Sequence, residues 1–498
     1  MSAYSELMDK MKEIDLIEQI GGLLSWDQEV MMPPNASTLR AEQLAWLSSS
    51  GHLKMTDLRI GELLIELEND KKLNEIQSGN LRLIRKSYDK ATKLPTKFVI
   101  EVAKHRSKSM VTWTEAREKN DFSIFRDDLK KMIDLVRQEA DYLGYEDLRY
   151  DALLDNYESG LTVSRLDPLF ANLRESIAPL IKSVMENGKR PNMKWVDRCT
   201  WIQRGQESLS QRVSESIGFD FDAGRRDAST HPFCGGPNPD DVRWTTRYSA
   251  TEPFGSLYGS MHETGHGLYE QGRPRALDFQ PAGKANGLGI HESQSRLWEN
   301  QIGRSLAFCE WSLPLWAESF PDNMIGVTPE DLWRSVNLIE PSLIRVEADE
   351  ATYNLHIMIR YEIEKMLISG DIEVDDLPKV WNNMYEEFLG IIPPNDTLGV
   401  LQDVHWSMGA FGYFPTYTLG NLYSAQLLTT ARKDLGDLES QIKEGDFSSL
   451  LDWMRENIHS RGSILEPALL IEEATGSAPS SDEFIDYLKN KIKDLYGI

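Results

Sequence analysis

The stretch "SMHETGHGLYEQG", Ser260 to Gly272, decides how the rest of the chain is read. Its centre, His262-Glu263-Thr264-Gly265-His266, sets two histidines four residues apart with a glutamate between them. On a helix, positions i and i+4 share a face, so both imidazoles can reach one ion. Glu263 is turned about 100° around the helix axis, so it flanks that ion and can hydrogen-bond a bound water as general base. The bland alternative is a solvated helix carrying two ordinary histidines. Histidine is rare here, nine in 498 residues, which makes that match by chance uncommon.

A catalytic zinc takes three protein ligands and keeps one position for water. The segment "GLGIHESQSRLWEN" (287–300) offers the third. Glu292 follows His266 by 26 residues, enough for one helix to end and a second to present a carboxylate. Gly283, Gly287 and Gly289 suit the loop between them. His291 is the rival ligand, and the usual two-histidine, one-carboxylate set of zinc peptidases favours Glu292 over it. His231, His262, His266 and His291 crowd into residues 231–291, and a site explains such crowding best.

Composition limits the alternatives. A chain of 498 residues exceeds the usual domain, and 40% hydrophobic residues can bury a large core. The net charge of −25 argues against nucleic acid and against an anionic membrane surface. Three widely spaced cysteines, Cys199, Cys234 and Cys309, make neither a disulfide framework nor a thiolate zinc site. The N-terminus lacks the basic and apolar regions of a signal peptide, and no apolar run is long enough to span a membrane. A soluble, reduced, cytoplasmic protein is expected.

The apolar periodicity is overwhelmingly helical. In "FRDDLKKMIDLVRQEADYLG", Phe125, Leu129, Met132, Ile133, Leu135, Val136 and Leu143 mark one face. "PSLIRVEADEATYNLHIMIRYEIEKMLISG" predicts a long helix with Pro341 near its start and Gly370 as its stop. "DLPKVWNNMYEEFLG" predicts another, stopped by Gly390. The alternating "VRWTTRYS" (242–249) predicts a strand beside the metal helix, and "STHPFCGGPNPDD" before it predicts an irregular loop. With no repeat, linker or composition shift, residues 1–498 are expected to form a single large helical domain with a small sheet.

Beyond these features, the chain resembles the M32 family of metallocarboxypeptidases. The likeness rests on HPF (231–233), DVRWT (241–245), HETGH (262–266), HESQ (291–294), IRVEAD (344–349) and GVLQDVHW (399–406), in that order. "LLSWDQEVMMPP", "YDALLDNYESG" and "WMRENIHSRGSILEP" extend it over essentially the whole chain. The resemblance implies a mainly helical fold with helical lobes lining one deep groove, as in neurolysin and angiotensin-converting enzymes. It also implies a homodimer, and a zinc or cobalt ion on His262, His266 and Glu292.

A carboxypeptidase must hold a free C-terminal carboxylate, and an arginine fork does so bidentately. Arg345 of IRVEAD is the leading anchor, set against an ordinary helical ion pair with Asp349. Arg243 is the second. For the developing oxyanion the choices are His231, His405 and Tyr417, the last placed in a loop by Gly412, Pro415 and Gly420. The strand at 242–249 is expected to pair with extended substrate. Expected partners are therefore peptides with a free C-terminus, not nucleic acid or membrane. Three other readings stand beside this one: a zinc oligopeptidase or dipeptidyl carboxypeptidase, a peptide-binding module, and a thiol hydrolase using Cys234 and His231.

Overall fold

Apolar faces of helical period determine most of the architecture. The helix Ser123–Leu143 buries Phe125, Leu129, Met132, Ile133, Leu135 and Val136, the face read from the sequence apart from Leu143, and stops at Gly144 with φ 86°. Gly370 (φ 92°) and Gly390 (φ 70°) end their helices in the left-handed conformation that costs glycine least. The structure, a computed structural model, describes residues 2–498. No helix among them is long and apolar enough to cross a membrane.

Two compact units divide the chain. One comprises residues 1–92, 191–336 and 423–479, and the other 93–190, 337–422 and 480–498. In the first, Leu7, Met11 and Ile14 of the helix Ala3–Val30 are buried in one apolar cluster with Ile60, Leu63, Leu64 and Ile84. In the second, the helix Glu350–Ser369 is buried along nearly its whole length.

That helix starts later than the sequence predicts. Asp349 is its N-cap and accepts from the backbone N–H of Ala351 and Thr352 at 2.9 and 3.0 Å. Pro341 and the turn residues around it leave Arg345 in a short 3-10 turn, Arg345–Glu347. A helical Arg345–Asp349 pair is thereby excluded, because Asp349 spends its carboxylate on the cap.

The small sheet lies in the first unit and has three strands: β1 (Gly224–Ala228), β2 (Cys234–Asn238) and β3 (Asp241–Thr246). Their order is β1-β3-β2, with β1 parallel and β2 antiparallel to β3. Two expectations are corrected here. The predicted strand is the central one, so it has no free edge for substrate. The edge strands are β1 and β2, and β2 lies inside the segment read as loop. Gly236 permits this: a Cβ there would lie 2.4 Å from the Asp241 carbonyl oxygen. Pro237 lacks an N–H, which an edge strand tolerates.

The sheet packs on the helix Phe254–Gly272. A Cβ on Gly267 would meet the Phe219 ring at 2.7 Å, and Ser260 Oγ donates to Thr246 Oγ1 at 3.1 Å. The metal helix is therefore fixed against β3 on one side.

Candidate metal centre and active site

His262 and His266 project from one face of the helix Phe254–Gly272, their ring centroids 4.9 Å apart. The helix Leu288–Arg296 passes close by because residue 265 is glycine. Any Cβ there would sit 2.7 Å from the Gln294 carbonyl oxygen and the Ser295 Cα. This approach brings Glu292 Oε2 to 3.5 Å from His262 Nε2 and 3.4 Å from His266 Nε2. A tetrahedral ion with bonds of ~2.0–2.1 Å needs its ligand atoms about 3.4 Å apart. The donor set and spacing thus fit a divalent metal, and these three residues form the metal-type cluster found among the described residues.

The groups around the ligands aim them. Glu299 Oε2 lies 2.9 Å from His262 Nδ1, which leaves Nε2 facing the cluster. Arg296 donates from Nε to Glu292 Oε1 at 2.7 Å and from Nη1 to Glu299 Oε2 at 3.2 Å. Glu299 stands on a π-helical continuation, Leu297–Ile302, of the helix that carries Glu292. Such π-turns recur at functional sites. Neither Glu299 nor Arg296 was singled out from the sequence. Their spacing from Glu292, i+7 and i+4, is the signal that could have found them.

His291 lies behind His266 rather than beside the ion position. Its Nδ1 is 2.6 Å from His266 Nδ1, and its Nε2 is 2.9 Å from Glu270 Oε1. With His266 presenting Nε2 to a metal, its Nδ1–H donates to His291 Nδ1, and His291 Nε2–H donates to Glu270. Arg273 closes the chain, its Nε 2.7 Å from Glu270 Oε2.

Electrostatics follow from burial. Glu263 is 6% exposed, and burial pushes its carboxyl up to about 7. Burial alone would lower His262, but Glu292 and Glu299 hold it up to about 9. His266, buried with less compensation, falls to about 4. Against burial, Arg296 and His262 keep Glu292 well below the usual carboxylate range. A metal ion must displace the His262 proton that the two carboxylates favour.

The remaining predicted residues are differently placed. Arg345 is buried in the second unit, donating from Nε and Nη2 to Asp403 Oδ1 at 3.0 and 2.8 Å and from Nη1 to the Tyr353 hydroxyl at 3.1 Å. Arg360, fully buried, holds the other Asp403 oxygen at 2.6 Å. Two guanidinium groups thus share one carboxylate, a surplus of one positive charge. Tyr417 is not in a loop: it occupies the first turn of the helix Pro415–Leu435, where Pro415 is compatible with a helix start. Its hydroxyl is 3.4 Å from His405 Nε2, and burial lowers His405 to about 4. Arg243 is bound bidentately to Asp241 at 2.7 and 3.0 Å and covers the Trp26 ring. His231 is exposed. Burial, with Glu263 and Glu270, drives the Cys234 thiol well above its usual range, the opposite of what a nucleophilic thiolate needs.

Two histidines and a glutamate on crossing helices, with a buried glutamate between the histidines, define a metallopeptidase site on a mainly helical scaffold. The pattern of the carboxypeptidase Taq (M32) metallopeptidases matches residues 6–492, and the chain belongs to that family. It is 42% identical to thermostable carboxypeptidase 1 of Thermus thermophilus, covering 100% of this chain and 99% of the relative. It is 39% identical to carboxypeptidase 1 of Bacillus subtilis over 99% and 98% of the two chains. The crystal structure of the M32 carboxypeptidase from Deinococcus radiodurans superposes with a TM-score of 0.97 at 38% identity, covering 100% of both chains. The protein is a metallocarboxypeptidase.

Proposed function

We propose that the chain uses zinc, held by His262, His266 and Glu292, to release single amino acids from the free C-terminus of peptides with broad specificity. The observation that carries this reading is the convergence of the three donor atoms at 3.4–3.5 Å beside buried Glu263. Cobalt suits the same donors. When bound, the ion supplies Lewis-acid activation of water and of the scissile carbonyl.

This chain's residues do the rest. Glu263 accepts the proton of the attacking water and returns it to the leaving amine. Burial supports both halves of that role, because it brings the carboxyl near neutrality. Arg345 binds the terminal carboxylate. Asp403 and Tyr353 take three of its five N–H donors, leaving one on each terminal nitrogen for a ligand. Arg243 is the alternative anchor, though its fork already holds Asp241. His405, kept neutral by burial, and Tyr417 offer donors to the oxyanion, with His231 a third choice.

The chain passes between the two units at 92–93, 190–191, 336–337, 422–423 and 479–480, which supports treating residues 1–498 as one functional domain. A homodimer in the cytoplasm completes the reading, and three free cysteines suit that compartment. Mass spectrometry of a hexapeptide digested by the metal-loaded protein tests the activity. A ladder of single residues lost from the C-terminus is expected. Loss of dipeptides or internal fragments would favour a dipeptidyl carboxypeptidase or oligopeptidase instead.

A further inference from the structure

A cavity of about 640 Å³ lies in the first unit, between the N-terminal helix Ala3–Val30 and the edge strand β2. It takes up the metal helix where that helix ends. Glu270, one turn beyond His266, lines it, and the same Glu270 is bonded to His291 behind the metal ligand. A carboxypeptidase leaves one residue beyond the scissile bond, so the rest of a peptide must run upstream of the metal. The free edge of β2 suits an extended upstream segment, since edge strands pair with peptides through their backbones. Gly235 lines the cavity, and a Cβ on this residue would meet nothing within 4 Å.

The cavity wall has its own chemistry. Carboxylates outnumber cations on it five to three. All three cations are ion-paired, Lys284 with Asp15 at 2.8 Å, Arg273 with Glu270 at 2.7 Å and Arg243 with Asp241 at 2.7 Å. Asp278 is half-buried there, and its side chain has no hydrogen bond or ion pair among the described residues. Of the cavity's aromatic residues, Trp26 already carries Arg243 and Arg225 over its ring and Phe279 carries Lys12, which leaves Phe233 with no cation of the chain over it among the described residues. Phe279 sits at φ 65°, a conformation a bulky residue adopts only when its surroundings demand it.

We infer that this cavity is a subsite for the upstream part of the substrate, and that Asp278 makes it select a cationic group there. The group is an ammonium or guanidinium: a Lys or Arg side chain, or the N-terminal ammonium of a short peptide. The inference rests on the carboxypeptidase reading above and adds a specificity that this reading does not contain. Asp278 supplies the charge, and β2 sets the register along the chain.

The test uses metal-loaded full-length protein and alanine-based hexapeptides. A single Lys, or Gln as its neutral partner, is moved from the last residue upstream, with the N-terminus free or acetylated. A Lys-to-Gln ratio of kcat/KM of about tenfold is expected at one position about two to four residues upstream. Gain from a free N-terminus in short peptides, lost on acetylation, would identify the terminal ammonium as the source. Gain from Lys regardless of acetylation would identify the side chain. In Asp278→Asn the ratio should collapse toward one, and in Asp278→Glu it should be retained. In wild type alone the ratio should shrink as salt is raised, which keeps the test decisive even if Asp278→Asn does not fold. A flat ratio at every upstream position, or one confined to the last residue, overturns the subsite. Absence of cleavage of every peptide would instead overturn the carboxypeptidase reading.

Discussion

A methyl group on Gly265 would lie 2.7 Å from the Cα of Ser295. The obstacle is backbone, not the end of a flexible side chain, so the two helices would have to part. Alanine improves helix propensity by ~1 kcal/mol, whereas overpacking a tight helix contact costs ~1–3 kcal/mol. The clash wins. Gly265→Ala should lower the melting temperature of the metal-free protein. It should also weaken zinc binding, because Glu292 rides on the displaced helix. Calorimetry and equilibrium dialysis check both, and unchanged zinc affinity would show that the crossing does not set the ligand spacing.

Glu263→Gln should retain metal and lose turnover. The amide keeps the shape beside His262 but cannot accept a proton. Loss of a general base removes ~10²–10⁴-fold. The measurement is single-residue release by a variant whose zinc content matches wild type.

Glu292→Gln should lose metal far more than His291→Asn. Glu292 brings a charge within 3.5 Å of both histidine nitrogens, while His291 touches only the back of His266. Replacing an outer partner of a ligand costs ~10–100-fold in affinity, so His291→Asn should fall in that range and Glu292→Gln beyond it. Dialysis of the two variants side by side decides the order. The reverse order would make His291 the third ligand.

Stability should carry a pH signature from Glu364, which is fully buried in the second unit. Tyr150, Trp406 and Gly412 donate to it at 2.5, 2.8 and 2.8 Å, yet burial outweighs them and pushes it up to about 7. Between its unfolded value near 4.5 and about 7, the folded state holds the extra proton. Its contribution is therefore fully present below about 4.5 and lost as pH rises through 7, amounting to about 3 kcal/mol at most. Glu364→Gln should destabilise at every pH, since one amide cannot accept from all three donors. The diagnostic is the slope: the wild-type fall in urea stability between these pH values should flatten in the variant.

How much of this was legible in the sequence depended on whether the signal was local. His262, Glu263 and His266 are a helical pattern and could be read directly. Glu292 could be demanded from zinc's ligand count. Strand β2 could not be read, because Gly235, Gly236 and Pro237 carry every mark of a loop and form a strand only where β3 supplies a partner. Arg345 falls outside the helix predicted for it because Asp349, its alternative ion-pair partner there, is in fact the cap. Its true partner, Asp403, is 58 residues away and invisible to periodicity. Tyr417 was put in a loop because Pro415 resembles a breaker, whereas at a first helical position it starts one. The division into two units left no trace at all, since each is assembled from three separated segments.

Arg345→Lys should cripple cleavage of free-acid peptides while sparing zinc binding. Arg345 shares Asp403 with Arg360, so the cluster holds two guanidinium charges against one carboxylate. The surplus charge attracts an anion, and Asp403 and Tyr353 fix the Arg345 plane while leaving one N–H on each terminal nitrogen. Lysine keeps the charge but loses the fork, and it also strips one partner from Asp403. Positioning should suffer more than attraction. An imperfectly paired buried carboxylate costs ~2–3 kcal/mol, or about 10²-fold in kcat/KM. Wild type should strongly prefer free-acid peptides over their C-terminal amides, and the variant should narrow that preference. The deciding quantity is the acid-to-amide ratio of kcat/KM in each protein, read together with the melting temperature. A variant that melts lower with its ratio intact would make Arg345 a purely structural partner of Asp403, and Arg243 would then become the leading carboxylate anchor.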